Sequence, residues 1–369
     1  MRLSVLAPLA LLAATAVAVP SYAGAAVRPA PGAPALNGAE PALRTTLATT
    51  TDRGVERVAV PKEARAADTS NPTRVIGRGT PASCTSRKVV RAVAKGGVIT
   101  FRCGPDPVVI RMRHTVKVNN THRRVVLDGG GLVTLSGAGK RRILYENACD
   151  PSRGLRLRNC QDSPRPQLVV QNIGLANGNS SGDLDYGGGG GAIFSYGGRL
   201  KVVNVTFTDN RCDRTGPDLG GGAVRARFQY HNEPVYVVHS TFVGGRCSNG
   251  AALSSINVSW TVLNSVFSGN RAIGYGANPR RPHTPGGGSG GAIYTDGEDY
   301  TVRIGGTLMR RNHANEGGGA VFYVSNDRTG RLHIYWSTLK DNVSERFETR
   351  PGIFYEGHGP IDVRHSIIR

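Results

Sequence analysis

The segment at 177–190 carries the side chains in this sequence that come nearest to a metal site. It reads NGNSSGDLDYGGGG and places Asp183 and Asp185 two positions apart. Carboxylate oxygens are the ligands that Ca²⁺ prefers in proteins, so Ca²⁺ is the one cofactor that these residues suggest. The spacing of the neighbouring acids defines no coordination site, and two solvated loop acids are the alternative interpretation.

Motifs for zinc and serine-hydrolase chemistry are not supported by the sequence. The nine histidines form no H-E-x-x-H, and the cysteines form no C-x-x-C. The G-x-S-x-G spacings at 178–182 and 287–291 lie in glycine-rich insertions and form no nucleophile elbow, which requires a strand-to-helix turn. The glycine run at 187–191 is not a phosphate-binding loop, because such a loop precedes a helix and carries G-K-[ST]. Here a short apolar segment follows the glycines.

The N-terminal segments indicate export. Residues 1–26 have an early arginine, an apolar run and a small-residue cleavage site, which is typical of a secretory signal peptide. No later apolar run approaches the roughly 18 residues of a membrane span, so we predict a secreted, extracellular protein without an integral membrane segment. Residues 27–78 are rich in Ala, Pro and Thr, which predicts a disordered leader before a folded domain at 79–369.

The chain is strongly basic, with 46 Lys and Arg against 26 Asp and Glu and a formal net charge of +20. Such a charge favours anionic partners, among them acidic polysaccharides and cell surfaces. The arginines form no dense basic tail, so nucleic acid is not a predicted partner. Six cysteines predict three disulfides in an exported chain. Fifteen pairings are open, and we predict the sequential ones, Cys84–Cys103, Cys149–Cys160 and Cys212–Cys247.

Two short signatures recur along the chain. The first, G-G-A-[ILV], occurs at 190–193, 221–224, 290–293 and 318–321, with variants at 250–253 and 351–354. The second has a large apolar residue near its centre, and its copies are NVTFTDN (204–210), HSTFVGG (239–245), NSVFSGN (264–270), GGTLMRRN (305–312), WSTLKDN (336–342) and HSII (365–368). The apolar residues are Phe207, Phe242, Phe267, Leu308, Leu339 and Ile368.

The segments around these signatures alternate with a period of two, as in Tyr300, Val302 and Ile304, so they are strands. Three short strands per turn of roughly 30 residues is what a parallel β-helix requires, with like residues stacked between turns. We predict about eight or nine turns. The aligned asparagines would form an inward ladder that pairs backbone groups at a bend: Asn210, Asn270, Asn312 and Asn342.

Two further features fit this register. Cys212 and Cys247 each lie five residues after a phenylalanine of the second signature. They fall at the same point of adjacent turns, which brings their α-carbons close to disulfide range. The segment Ser86–Ala94 has an amphipathic helical pattern ahead of the first strand. It predicts a short helix that covers the open first turn.

The chain resembles the secreted right-handed β-helix proteins of the pectate-lyase-like superfamily, and its paired signatures resemble polymorphic outer-membrane protein repeats. The stretches VVLDGGGLVTLSGAG (125–139), GGAVRARFQY (221–230) and YVSNDRTG (323–330) look like a bacterial branch of that group. The resemblance covers about residues 80–369. It implies an all-β fold, a single-stranded right-handed parallel β-helix.

The superfamily includes polysaccharide lyases and glycoside hydrolases, so the resemblance leaves open whether this chain is an enzyme. Gly357-His358-Gly359 matches the G-H-G of polygalacturonases, but the N-T-D, the aspartate pair and the R-I-K that accompany it there do not occur. Inverting hydrolysis needs an acid and a base that flank the scissile bond. We therefore interpret His358 as part of a turn and predict no catalytic residue.

Each G-G-A-[ILV] strand should point its apolar residue inward, so the next residue and the one two further along point outward. Aromatic rings stack on sugar rings, and arginine forks pair with carboxylate or sulfate groups. The insertions 178–189, 212–220 and 272–289 either wall a groove over this sheet or fold onto it and bury it. We predict a substrate-binding face at the outward residues Phe194, Tyr196, Arg225, Arg227, Tyr294 and Asp296.

These features predict a secreted, monomeric β-helix protein that binds an acidic polysaccharide or a cell-surface glycan. Two alternatives stay open. One is a polysaccharide lyase or glycoside hydrolase that acts on uronic-acid polymers. The other is a structural or adhesive scaffold associated with the cell wall.

Overall fold

The computed structural model describes residues 55–155 and 158–369. The predicted signal peptide and the predicted leader before residue 55 lie outside these residues. The described chain is almost entirely parallel β-strand and winds as a solenoid, which confirms the predicted parallel β-helix. Its strands fall into three sheets, of 17, eight and four strands.

The eight-stranded sheet, called here the GGA sheet, follows the first signature. The first glycine of each copy has a positive φ, for example 67° at Gly190, and a Cβ there would collide with the carbonyl oxygen of Ile193. Glycine is the residue that adopts this conformation at low cost. The strands are Val116–Lys117, Leu144–Asn147, Ile193–Tyr196, Val224–Arg227, Leu253–Ile256, Ile293–Gly297, Val321–Ser325 and Ile353–Glu356.

The 17-stranded sheet, called the long sheet, bends once per turn. Two of its strands, Gln167–Ala176 and Arg199–Thr208, run through the bend. The entry half precedes the bend and adds Arg74–Ile76, Gly97–Phe101, Arg124–Asp128, Val235–Val238, Trp260–Leu263, Thr301–Gly305, Arg331–Tyr335 and Asp362–Arg364. The exit half adds Val108–Arg111, Val133–Ser136, Thr241–Val243, Val266–Ser268, Leu308–Arg310, Thr338–Lys340 and Ile367–Ile368.

The residues at this bend form a column in the left-handed backbone region, called here the bend column. Their φ values lie between 47° and 56°. Asparagine and glycine enter this region most easily, and bulky side chains enter it rarely. The column consists of Asn172, Asn204, His239, Asn264, Gly306, Trp336 and His365.

The remaining elements close the turns and the N-terminal end. The smallest sheet contains Arg246–Cys247, Arg271–Ala272, His313–Ala314 and Val343–Ser344. One α-helix, Ser86–Ala94, packs Val89 and Val93 into the core at the N-terminal end, which confirms the predicted helix. None of the described residues forms a helix long and apolar enough to cross a membrane. Short 3₁₀ turns occur at Lys62–Ala64, Pro81–Ser83, Pro151–Arg153, Cys160–Asp162, Asp185–Gly187 and Tyr230–Asn232.

Residues 55–69, called here the strap, lie along the outside of the entry half. The side-chain amide of Asn264 accepts from the backbone N–H of Val58 and donates to its carbonyl oxygen, both at 2.9 Å. Gln171 holds Ala67 in the same way, at 2.8 and 3.0 Å. The predicted disordered leader and the structure therefore differ over residues 55–78, because amide side chains of the solenoid order a segment that has no core of its own.

The predicted asparagine ladder is present at the end of the exit half. Asn312 accepts hydrogen bonds from the backbone N–H of Asn270 at 3.1 Å and from its Nδ2 at 2.9 Å. Asn312 Nδ2 donates to the carbonyl oxygen of Phe267 at 3.1 Å and to Oδ1 of Asn342 at 2.8 Å. Each asparagine thus satisfies buried backbone groups of the turn before it, as a bend inside a core requires.

The apolar column of the second signature stacks inside the solenoid. The rings of Phe207 and Phe242 lie 4.5 Å apart, and those of Phe242 and Phe267 lie 4.6 Å apart. The next member is Met309 rather than the predicted Leu308, since Met309 pairs with Phe267. Three disulfides, Cys84–Cys103, Cys149–Cys160 and Cys212–Cys247, join the pairs that the sequence predicts, with Cα atoms 5.7, 4.8 and 4.8 Å apart.

The core also holds a carboxyl group. Glu146 is fully buried beside Ser195, whose hydroxyl donates to Glu146 Oε2, while Oε1 has no partner in the described chain. Burial raises the pKa of this carboxyl well above its ordinary value, against the opposing effect of the Ser195 hydrogen bond. Glu146 is therefore protonated in the folded protein over a pH range in which an unfolded glutamate is ionised.

Substitution Asn312→Ala tests the ladder. It leaves the carbonyl of Phe267 and the N–H of Asn270 buried without partners, so we expect the free energy of unfolding to fall by about 2–4 kcal/mol. Urea unfolding of the secreted protein measures this loss. Asn315→Ala, next to the ladder on a partly exposed strand end, is the control and should stay within about 0.5 kcal/mol of the parent. Equal effects of the two changes would contradict the assigned role of the ladder.

Glu146→Gln tests the buried carboxyl. Because the folded state binds its proton more tightly than the unfolded state, the free energy of unfolding falls as pH rises from about 4.3 towards the raised pKa of Glu146. We expect Glu146→Gln to remove this decline and to be more stable than the parent at pH 8. Urea unfolding at several pH values measures it, with the exposed Glu298→Gln as control. A parent and a Glu146→Gln variant with parallel pH profiles would refute the assignment.

Candidate functional site

The outward face of the GGA sheet has the register that the sequence predicts. Phe194 pairs with Arg225, and Ser254 pairs with Tyr294, so the first outward column is continuous across the turns. The side chains are nevertheless inaccessible, because Phe194, Arg225 and Tyr294 are each 0% exposed. The insertions fold onto the sheet, which is the second of the two arrangements that the sequence left open.

The aromatic residues of this face pack against one another. The ring of Phe194 lies 5.6 Å from that of Tyr145 and 6.4 Å from that of Tyr196. The buried guanidinium of Arg142 lies 4.9 Å from the Phe194 ring. Tyr186, from the insertion at 178–189, places its ring 5.6 Å from Tyr196. These rings therefore have protein partners where a sugar ring would have to stack.

Arg225 and Arg227 also bind the insertions. Arg225 donates to the carbonyl oxygen of Asp218 at 2.6 Å and to the hydroxyl of Ser254 at 2.5 Å. Burial, helped by the charge of Arg227, lowers the pKa of Arg225 to about 10. Arg227 donates to the carbonyl oxygen of Tyr186 at 2.7 Å. Both guanidinium groups hold loop backbone in place.

Asn278 joins the third insertion to the same face. Its amide donates to the hydroxyl of Tyr294 at 2.7 Å, to Asp218 at 3.0 Å and to Asp296 at 3.1 Å. Burial is the main cause that raises the pKa of Asp296. The six residues of the predicted binding face are thus brought together, but beneath the loops, and a ligand reaches them only if the loops move.

The two aspartates suggested for Ca²⁺ have different surroundings. Asp183 pairs with Arg142 at 2.6 Å, whereas Asp185 is exposed at the start of a 3₁₀ turn. The described ranges contain no cluster of three or more His, Cys, Asp or Glu residues placed to hold a metal ion. His358 lies in a turn, where its carbonyl oxygen accepts from the Tyr355 hydroxyl at 3.0 Å.

A groove that the sequence analysis missed lies on the outer side of the entry half, beyond the strap. It has a volume of about 590 Å³ and includes the last two members of the bend column. The described residues of the strap cover the outward residues of earlier turns, such as Val203 and Leu263. The groove, called here the Trp336 groove, is lined by Arg303, His333, Ile334, Tyr335, Trp336, Asp362, Arg364 and His365.

The aromatic part of the groove is held in an unusual backbone conformation. Trp336 has φ 49° and His365 has φ 47°, and their rings stack at 4.2 Å with planes 11° apart. Trp336 remains 37% exposed. A bulky residue in the left-handed region costs roughly 1–2 kcal/mol. The groove therefore presents a partly exposed aromatic ring at a position whose backbone conformation favours asparagine or glycine.

The charged part of the groove combines one ion-paired cluster with one unpaired arginine. Asp362 Oδ2 lies 2.9 Å from His333 Nδ1, and Asp362 Oδ1 accepts from Arg364 Nε at 2.8 Å. The hydrogen bond to His333, followed by that to Arg364, lowers the pKa of Asp362. Arg303 forms no hydrogen bond or ion pair with any described residue. Its fork is available to an anionic ligand.

The sequence contains a signal for this groove. The bend residue lies three positions before the inward apolar residue of the second signature, and along the chain it is Asn204, His239, Asn264, Gly306, Trp336 and His365. A tryptophan where other copies have asparagine, glycine or histidine departs furthest from the conformational preference of the position. This departure could have identified Trp336 before the structure was known.

Comparison with known proteins gives one match. Residues 264–296 match the Chlamydia polymorphic membrane protein repeat, a segment that runs from one copy of the second signature to the G-G-A-I strand of the next turn. No curated protein and no solved structure matches the chain. The chain is therefore similar over residues 264–296 to a polymorphic membrane protein repeat.

Proposed function

We propose that this protein is secreted and binds acidic glycans through the Trp336 groove, as a non-catalytic, adhesin-like component of a surface. The observation that carries the proposal is the exposed Trp336 ring, stacked on His365 in the left-handed backbone region beside the unpaired Arg303. The three disulfides and the similarity to a polymorphic membrane protein repeat support an extracellular, surface-associated setting.

The groove offers the two kinds of contact that an acidic sugar needs. The ring of Trp336 presents an apolar surface on which the C–H face of a sugar packs. Arg303 and Arg364 lie two turns apart on the entry half, on either side of the strand Arg331–Tyr335, and both line the groove. An arginine fork binds a planar carboxylate with two parallel hydrogen bonds. A uronic-acid polymer supplies sugar faces and carboxylates at regular intervals.

A polysaccharide lyase is the second candidate, and the His333–Asp362 pair favours it. Asp362 holds one ring nitrogen of His333, as an orienting carboxylate holds a general base, and Arg303 lines the same groove. In such a reaction the base takes the proton α to the uronate carboxylate, a C=C bond forms, and the C–O bond to the leaving sugar breaks. Ultraviolet absorbance of an unsaturated uronide would establish it, and its absence with uronic-acid polymers would reject it.

Trp336→Asn separates a binding role from a structural one. Asparagine occupies the same column at Asn172, Asn204 and Asn264, so we expect the free energy of unfolding to stay equal or to rise by about 1 kcal/mol. Retention of the secreted protein on a polygalacturonate column should fall about tenfold or more, because the stacking surface is lost. The control, Tyr275→Asn, removes an exposed ring elsewhere and should not change retention. Unchanged retention of Trp336→Asn would reject the groove as the binding site.

Arg303→Gln tests the charged contact. The change removes no internal hydrogen bond, so stability should stay within about 0.5 kcal/mol of the parent. Affinity for polygalacturonate, measured by isothermal titration, should fall about tenfold, and its salt dependence should weaken. Arg271→Gln carries the same charge change on an exposed strand outside the groove. Equal losses in both variants would indicate diffuse attraction by the net charge instead of a site.

A further inference from the structure

A second cavity lies where three strands of the entry half begin. It has a volume of about 580 Å³, and it is bordered by the segment that follows the disulfide Cys149–Cys160. Arginines from three successive turns face it, since Arg123 precedes the strand Arg124–Asp128 and Arg199 begins the strand Arg199–Thr208. The cavity, called here the arginine pocket, is lined by Arg123, Arg158, Asn159, Asp162, Ser163, Pro164, Arg165 and Arg199.

Three of the four arginines of this pocket lack an anionic partner among the described residues. The side chains of Arg123, Arg158 and Arg165 make no hydrogen bond or ion pair with any residue in the described ranges. The Arg199 guanidinium lies 3.6 Å from Glu233 and 5.9 Å from the centroid of the Tyr230 ring, and its buried Nε has no hydrogen-bond partner in the described chain. Unlike Arg225 and Arg142, these guanidinium groups are not used to fix loops.

The one acid that lines the pocket is already engaged. Asp162 accepts a hydrogen bond from the backbone N–H of His231 at 2.6 Å, and its other oxygen lies 3.8 Å from the His231 ring. It therefore anchors the 3₁₀ turn at Tyr230–Asn232 and neutralises little of the surrounding charge. Four arginines around one cavity repel one another, and a bound anion removes this repulsion.

The arrangement of the forks indicates the kind of anion. A carboxylate is planar and is satisfied by one arginine fork. Four guanidinium groups that approach from three successive turns match a group with acceptor oxygens in several directions, as in sulfate and phosphate. The volume lies within the range of small-ligand sites and exceeds what a single oxyanion needs.

We propose that the arginine pocket binds the sulfate or phosphate groups of a substituted saccharide. The pocket lies four to five turns from the Trp336 groove, which is about 20–25 Å at the spacing of parallel strands. This proposal goes beyond the binding of uronic acids at that groove and does not depend on it. The two sites differ in anion geometry and share no lining residue.

Isothermal titration of the mature protein tests the proposal, with a sulfated disaccharide, the same disaccharide without sulfate, and inorganic pyrophosphate as probes. We expect the sulfated disaccharide to bind at least tenfold more tightly than the desulfated one. Pyrophosphate should compete with the sulfated disaccharide if the pocket recognises the oxyanion itself. If pyrophosphate also binds more tightly than the sulfated disaccharide, phosphate is the preferred group. Failure of both anionic probes to bind the parent protein would overturn the proposal.

The double variant Arg123→Gln with Arg165→Gln locates the site. Neither side chain has an internal partner, so the fold should be retained, and binding of the sulfated disaccharide should weaken at least tenfold. Arg271→Gln with Arg350→Gln makes the same charge change elsewhere and should keep most of the binding. Equal weakening in both double variants would overturn the site. Trp336→Asn should bind the sulfated probe as the parent does, so failure here and failure at the groove are distinguishable.

Discussion

Every turn of this solenoid has to change direction without leaving a buried backbone group unpaired, and this requirement explains the repeat. Side chains solve it at two successive bends. At the bend column, Ser265 donates to the carbonyl oxygen of Leu263 and accepts from the N–H of Ser240, and Thr307 repeats the pattern one turn later. At the next bend the asparagine ladder does the same. The number of residues between successive copies of a signature varies with the length of the insertion, whereas the place of these hydrogen-bonding residues within each copy stays the same.

The GGA sheet shows that insertions determine whether an outward face is exposed to solvent. Alternation fixes which side chains leave the core, but only the insertions decide whether those side chains meet solvent. Arg225 and Arg227 donate hydrogen bonds to carbonyl oxygens of the loops at 212–220 and 178–189, respectively. The buried Arg225 thus interacts with a backbone carbonyl instead of a carboxylate, and its burial lowers its pKa. The outward face of the GGA sheet is therefore a buried contact surface between the solenoid and its loops.

Residues with local or nearest-turn partners could be predicted from the sequence, and residues with distant partners could not. The helix Ser86–Ala94, the asparagine ladder and the Cys212–Cys247 pair all follow from register between adjacent turns. Met309 was missed because Leu308 lies four positions before Asn312, whereas the apolar residue of other copies lies three positions before its asparagine. Met309 has the spacing of three, and it pairs with Phe267. The strap was missed because Asn264 holds Val58 across 206 residues of sequence.

The bend column borders both the strap and the Trp336 groove, and its residues change in chemistry along the solenoid. Asn264 binds the strap backbone with its amide, and the next bend residue, Gly306, has no side chain and lies beside the carbonyl of Glu56. The two bend residues that follow are aromatic, Trp336 and His365. An amide recognises a peptide group by paired hydrogen bonds, whereas stacked rings offer an apolar plane. The column thus changes from amides that hold a peptide backbone to stacked aromatic rings.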